Sequence, residues 1–598
     1  MRRTLIVSLL APLGFFAADQ ALAAKAKAAN GPLNKLIEQT WQDDLADNPL
    51  MATSLGDSRY NDRWPDMTQV ALDAHQKKNY TRLQALVKIP RDKLEKADQL
   101  NYDLFIRDIK ARMEEYQFKP WMFELSTLGG PQQIAQVAEF SPFNTAKDYD
   151  NWIARLNTSG AYIDQWILLL TQGTTERLVQ PRIVINKVLD QLKGQLVSDP
   201  EASPFYLPFK NMPAGIAEAD KTRLTAAGRA AVQTVAIPAM QRFDKFLREV
   251  YLPASRDGVG ISEIPGGSQY YNFLIKTYTT VDNMDAARIH NLGQDEVKRI
   301  RGEMEKTLAN INFIGNDKDT RSELDQFLSF MRNDPRFYLK TPEELMAAYT
   351  KTARGIEPEL PKLFGRLPKQ PFGIRAIPAA TAPTTTTAYY QPGSLDGSRP
   401  GNFYVNLYKP ETRPTWEIEV LTAHESVPGH HLQIALSYEL TGIPEFRRNA
   451  GYTAFIEGWA LYSEKLGYEL GLYKDDFSKM GQLNYDMWRA VRLVVDTGMH
   501  QFKWTRDQAV YYFMQNTSKN KLDIENEIDR YISVPGQALA YKIGQLKIQA
   551  LRAEAEKALG DRFDVRAFHD QILGQGALPL SVLETETRSW IAAQSARR

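Results

Sequence analysis

The sequence predicts a mainly α-helical chain carrying a small β-sheet close to one chemically loaded helical motif. Three observations carry that prediction. Apolar residues recur at helical spacing through most of the chain; a stretch rich in Pro, Thr and Gly between about 367 and 407 breaks into short alternating runs; and the helical pattern returns from Glu417 onward.

The elements follow in chain order. Arg2 and Arg3 precede an apolar run from Leu5 to Phe16, interrupted by Ser8, Pro12 and Gly14, and Ala21-Leu22-Ala23 supplies a small-x-small cleavage site. This is the layout of a secretory signal peptide, and the run is too short for a membrane span. Residues 1–23 are therefore expected to be removed, leaving a periplasmic or secreted protein with no stable membrane insertion. Leu33, Ile37, Trp41 and Leu45 then step by four, as one face of a helix does. The same spacing occurs in Trp152-Ile153-Leu156, in Ile163-Ile167-Leu170 and from Arg182 to Leu196. Thr222 to Tyr251 reads as a long helix closed by Leu252-Pro253, and Pro120, Pro142, Pro204, Pro208 and Pro213 punctuate the region. A helical N-terminal lobe is expected over 24–285 and a second helical lobe over 286–598. Within the latter, Gly373 to Pro378 alternates like an edge strand, and Ala388-Tyr389-Tyr390 and Asn402 to Asn406 read as further strands.

Composition excludes several classes. The chain has no cysteine, which rules out disulfides, thiol catalysis, Cys-ligated zinc and, by expectation, N-terminal lipid attachment. At 598 residues it can bury a large core without such staples. Lys plus Arg total 73 against 72 for Asp plus Glu, so no charge excess favours nucleic acid or an anionic membrane as a partner. No Gly-x-Ser-x-Gly elbow is present, which disfavours a serine hydrolase.

Chemistry concentrates in His424-Glu425-Ser426-Val427-Pro428-Gly429-His430-His431, which holds three of the seven histidines. In His-Glu-x-x-His peptidases, two histidines one turn apart face one zinc ion, and the glutamate serves as base for the activated water. Here Pro428 stands where the second ligand would be. On an ideal helix His430 lies about 120° from His424 in phase, and His431 is nearly in phase but about 10.5 Å along the axis, so neither shares a metal with it. Pro428 has no N–H for the His424 carbonyl and Gly429 tolerates unusual dihedrals, so a break there can bring one following histidine round. His430 is preferred and His431 is the alternative. Glu457, set between apolar neighbours and followed by Gly458, is the expected third ligand, since a carboxylate in such company must be paired or metal-bound. Glu464, two turns on, is expected to orient a histidine from behind.

Further candidates have weaker signals. Tyr541, one turn after Gln537, is expected to donate to an oxyanion, and Arg530 and Tyr531 to bind a substrate carboxylate. His500 is a candidate catalytic or supporting histidine. The strand around Phe403 and Tyr404 is expected to hold an extended peptide by main-chain pairing. His75, His290 and His569 receive no role. Each candidate also has a structural reading, as a helix cap, an ion-pair partner or a packing tyrosine.

His424 to Gln433, Glu457 to Tyr462, and Pro535-Gly536-Gln537-Ala538-Leu539-Ala540-Tyr541-Lys542-Ile543-Gly544 resemble the bacterial family called domain of unknown function 885, as do Asn48-Pro49 and Ser54-Leu55-Gly56-Asp57 near the start. The resemblance implies a two-lobed helical fold with a deep central cleft, similar in style to carboxypeptidase Taq and angiotensin-converting enzyme. It also implies hydrolysis of short peptides from the C-terminal end, of carboxypeptidase or dipeptidyl-carboxypeptidase type, with one zinc ion. A zinc amidase or esterase, and a non-catalytic periplasmic binding or chaperone-like protein, are the rival expectations.

Overall fold

The computed structural model describes residues 31–379, 382–393 and 399–597, the side chain of Thr384 excepted. The expected signal peptide, residues 1–23, lies outside the described residues. Helix makes up 70% of the structure and one three-stranded sheet supplies the β content, so the class is mainly α.

Helix α1 (Pro32–Asp47) buries Leu33, Ile37 and Leu45 of its expected stripe, while Trp41 on the same face is half-buried beside a cavity. It packs with α2 (Gln69–Leu86) and α3 (Lys96–Glu115) around Leu33, Ile37, Leu86, Tyr102, Phe105 and Ile109. The two apolar segments around Trp152 and Ile163 are one helix, α4 (Ala146–Glu176), opened by a reciprocal Thr145–Asp148 capping box. The next helix covers Arg182–Leu192 and tightens into a 3-10 turn at Lys193–Gln195, short of the expected Leu196.

The stretch expected to close at Leu252-Pro253 runs on to Ala254, with π turns at Val232–Ala236 and Leu247–Tyr251. Each π turn lies just before a proline, Pro238 or Pro253, whose ring and missing N–H an ordinary α turn does not accommodate.

The apolar core has two main parts. One gathers residues between Trp64 and Tyr251, and the other holds nearly everything from Val259 to Ile591. Helix α5 (Gly267–Thr279) packs in the second part, so the break expected at 285/286 does not coincide with a break in the core.

Strands β1 (Phe372–Ala376), β2 (Ala388–Gln391) and β3 (Gly401–Val405) form the sheet in the order β1-β3-β2. β3 is central, parallel to β1 and antiparallel to β2. After it come α6 (Ile418–Glu425), α7 (His430–Tyr438), α8 (Thr453–Leu466), α9 (Asp476–His500), α10 (Lys521–Ser533) and α11 (Ala540–Leu559). β2 packs beside α6 and β3 beside α7. Helices α8 and α11 cross at Gly458 and Gly544: a Cβ on Gly544 would stand 1.9 Å from the Ala454 carbonyl oxygen, and one on Gly458 would stand 2.5 Å from the Gly544 backbone. Only glycine permits that approach.

Candidate metal centre

The local chain path makes the site. Helix α6 ends at Glu425, where the Ser426 N–H still donates to the Thr422 carbonyl at 2.9 Å and the Ser426 hydroxyl does so at 2.6 Å. Ser426, Val427, Pro428 and Gly429 then leave the helix, the Val427–Pro428 peptide bond being cis, and α7 restarts at His430. A Cβ on Gly429 would lie 1.9 Å from the His424 carbonyl oxygen, so the chain folds back on α6 only because residue 429 has no side chain. Trp459 Nε1 on α8 donates to the Pro428 carbonyl at 2.8 Å and fastens the break to the helix that carries Glu457.

The break brings two imidazoles face to edge, with ring centroids 4.9 Å apart. His424 Nε2 lies 3.6 Å and His430 Nε2 3.3 Å from Glu457 Oε2. One ligand atom from each of the three residues falls within 4.8 Å of the others. A tetrahedral zinc ion with bonds of about 2.0–2.1 Å holds its ligands roughly 3.3–3.5 Å apart, so these spacings fit such an ion. The donor set of two imidazoles and one carboxylate is also the kind zinc takes in catalytic sites. Glu457 Oε2 and His430 Nδ1 are buried and make no hydrogen bond, which leaves the carboxylate oxygen available as a ligand.

Support comes from behind. His424 Nδ1 lies 2.9 Å from Glu464 Oε1, which directs Nε2 toward Glu457. Glu464 is fully buried and takes an ion pair from Arg489 at 3.0 Å, and Tyr473 donates to its backbone carbonyl at 2.8 Å. Burial opposes charge on His424, yet the carboxylates of Glu457 and Glu464 facing its two ring nitrogens push it up to about 9. Burial likewise opposes charge on Glu457, and the imidazoles of His430 and His424 hold it well below the usual carboxylate range. Glu425, beside the ligands, is raised chiefly by burial, with the two imidazoles pulling the other way. A buried carboxylate whose proton affinity is raised meets the electrostatic condition of a proton acceptor.

The remaining candidates divide. Tyr541 lies close enough to Glu457 for that carboxylate to raise it further, after the larger effect of burial. Its hydroxyl accepts from Gln537 Nε2 at 3.4 Å, and the Arg492 guanidinium covers its ring at 4.2 Å. Arg530 shares its donors between Glu527, at 3.0 and 3.3 Å, and Gln537, at 2.8 Å.

Four expectations are corrected. His431 is not in the cluster: residues adjacent in a helix point about 100° apart, and His431 turns to the sheet, 2.9 Å from the Tyr390 hydroxyl and 4.7 Å from the Phe372 ring. Tyr531 is fully buried, donating to Glu527 at 2.7 Å and accepting from Trp488 and Arg492, so its hydroxyl faces no substrate. His500 accepts from the Ile261 N–H at 3.1 Å and pairs with the Tyr531 carbonyl at 2.9 Å; with both nitrogens committed to backbone it has none for catalysis. Tyr404 lies on the central strand, whose main chain pairs on both sides, so an extended peptide has no free edge there.

Arg489 and Arg492 were missed. Every residue of α9 from Met480 to His500 is buried, and arginines in such a helix must each meet a carboxylate or an aromatic face. The signal was present as two arginines within an otherwise largely apolar run.

Comparison with known proteins completes the description. Residues 49–586 match the sequence model of a bacterial protein family of unknown function, DUF885. Among curated proteins none matches the sequence. The fold is similar to that of a candidate lipoprotein from Colwellia psychrerythraea, with a TM-score of 0.87 and 28% identity over 94% of this chain and 100% of that one. It is also similar to a candidate lipoprotein of unknown function from Shewanella oneidensis, with a TM-score of 0.71 and 16% identity over 92% and 99% of the two chains. The second likeness is one of fold alone.

Proposed function

The chain belongs to the bacterial DUF885 family, and from that premise we propose that it is an exported zinc-dependent peptidase acting on short peptides. The observation that carries this reading is the meeting of His424 Nε2, His430 Nε2 and Glu457 Oε2, with Glu425 buried beside them. Export is supported by the similar structures, both described as candidate lipoproteins, and by the leader-like start of the sequence. No helix of the described residues is long and apolar enough to cross a membrane.

His424, His430 and Glu457 would hold the ion, which when bound supplies Lewis-acid polarisation of a carbonyl and activation of water. Glu464, itself held by Arg489, keeps the His424 ring turned so that Nε2 is the liganding nitrogen. Glu425 takes the proton of the attacking water and delivers it to the departing amine. Tyr541 donates a hydrogen bond to the substrate oxygen as negative charge develops on it. The substrate lies in the cleft between two helical lobes that the family resemblance implies. The outer edge of β2, beside α6, is the sheet edge suited to pair with an extended chain.

The test is a mixed library of short peptides incubated with the zinc-loaded protein, with and without chelator, the products being read by mass. Chelator-sensitive cleavage is the expected result. Cleavage confined to ester or non-peptide amide substrates reassigns the reaction, and no turnover of any substrate, despite bound zinc, removes it.

A further inference from the structure

Helix α10 and the turn that follows it build a run of hydrogen bonds that ends at Tyr541. Glu527, Arg530 and Tyr531 lie one turn apart on α10. Glu527 is buried and accepts from Arg530 Nη2 at 3.0 Å, from the Tyr531 hydroxyl at 2.7 Å and, across to α9, from Arg492 Nη2 at 3.0 Å. Gly536 then turns the chain at φ +82°, its N–H donating to Asp496 at 3.1 Å, and Gln537 meets Tyr541 four residues on.

Each bond in this run has only one possible direction. Arginine carries donors and no acceptor, so the Gln537 amide atom 2.8 Å from Arg530 Nη1 is its oxygen. That leaves Nε2, a donor only, toward the Tyr541 hydroxyl at 3.4 Å. A hydroxyl that accepts on one side keeps its proton for a different partner, and among the described residues no group takes it. Were the amide reversed, its oxygen would draw the phenol proton to itself.

The ring is held as well. Arg492 Nε donates to the Tyr531 hydroxyl at 2.6 Å and Nη2 to Glu527, and its guanidinium lies over the Tyr541 ring, 4.2 Å from the centroid. Glu527 therefore anchors both the arginine on the ring and the arginine behind the amide. The metal centre is near: after burial, the Glu457 carboxylate is the largest influence raising this phenol.

We propose that Glu527, Arg530, Gln537 and Arg492 are positioning residues that fix Tyr541 as a hydrogen-bond donor. Arg530 orients the Gln537 amide, the amide makes the phenol oxygen an acceptor, and the phenol proton is kept for the substrate oxygen on which charge develops. This deepens the peptidase reading and rests on it for the identity of that oxygen. It also gives Arg530 a different task from binding a substrate carboxylate, since its donors serve Glu527 and Gln537.

The probe is a phosphinic tripeptide analogue, whose tetrahedral anion imitates the charge developed at a peptide carbonyl and is not cleaved. Its binding to the full-length, zinc-loaded protein is measured by calorimetry, with zinc content checked for each variant. Tyr541→Phe should weaken binding ~10- to 100-fold and lower kcat for peptides ~10²- to 10³-fold with KM little changed, the usual worth of one oxyanion donor. Gln537→Glu keeps the shape, gains Arg530 as a charge partner and should melt no lower than wild type. Its carboxylate can only accept, however, so it takes the phenol proton and should cost as much as Tyr541→Phe. In the Tyr541→Phe background the same change should cost less than about 2-fold more, because both act through one hydroxyl. Arg530→Met frees the amide to reverse and should cost ~3- to 10-fold, the worth of one hydrogen bond, equally for probes with a free and an amidated C-terminus.

Four results overturn the proposal: no phosphinate binding at all, wild-type affinity in Gln537→Glu, a Gln537→Glu loss that persists in full without the Tyr541 hydroxyl, or an Arg530→Met loss confined to the free carboxylate. Phosphinate binding with the expected dependence on residue 537, without cleavage of any peptide, keeps the positioning and removes the peptidase. Peptide cleavage indifferent to Gln537→Glu does the reverse.

Discussion

His424 and His430 are buried, and so are His500 and His569, yet the two pairs do opposite things. His500 joins the Ile261 N–H to the Tyr531 carbonyl, and His569 joins the Leu363 carbonyl to the Tyr462 hydroxyl, both at 2.8 Å. Such rings act as cross-braces, and burial pushes both down to about 3, where they stay neutral. His424 and His430 instead turn their Nε2 atoms to a shared carboxylate, and His424 is pushed up to about 9. Burial alone does not mark a functional histidine. What decides is whether the ring nitrogens face backbone, which consumes them, or converging carboxylates, which a metal can replace as the histidine's partner.

The comparison can be tested where it is most exposed. Glu425→Gln should lower peptide turnover by ~10²- to 10⁴-fold, the usual worth of a general base, while zinc content measured by elemental analysis stays the same. His424→Ala should lose stoichiometric zinc, whereas His500→Ala should keep it; loss of zinc from both would erase the distinction drawn here. Glu464→Gln should weaken zinc binding by ~10- to 100-fold, as loss of a ligand's orienting partner does, read by competition with a chromophoric chelator. His500→Ala leaves two backbone groups buried without partners, at ~1–3 kcal/mol each, and should show that loss in denaturant unfolding with zinc content intact.

The smallest effect is one of sign. In metal-free protein His424, at about 9 in the fold against 6.5 ordinarily, contributes stability that is complete below pH 6.5 and lost as the pH rises to about 9. His500, at about 3, contributes stability that is present above pH 6.5 and lost as the pH falls toward 3. The melting temperature of chelated protein should therefore fall on both sides of neutrality, and His424→Ala should flatten the alkaline side.

Much of this was legible in the chain. The clustering of histidines, the Pro-Gly interruption and the lone glutamate before Gly458 are local features, and each is a departure from what an ordinary helix tolerates. The helices and the short sheet were legible for the same reason, since apolar period reports the face that is buried. Strand order was not: the alternating run at Asn402 to Asn406 reads the same whether it lies at an edge or in the middle, and only pairing partners decide that β3 has no free edge. Nor did the sequence separate Tyr531, sealed under Trp488 and Arg492, from Tyr541, which lies near Glu457.

By itself, then, the sequence pointed to a break between His424 and His430, because Pro428 lacks an N–H for the His424 carbonyl and Gly429 tolerates unusual dihedrals. Tertiary structure alone decided which imidazole turns to Glu457 and that Arg489 stands behind Glu464. Those outcomes depend on rotations of about 100° between neighbouring residues and on contacts between separate helices, which local pattern does not encode.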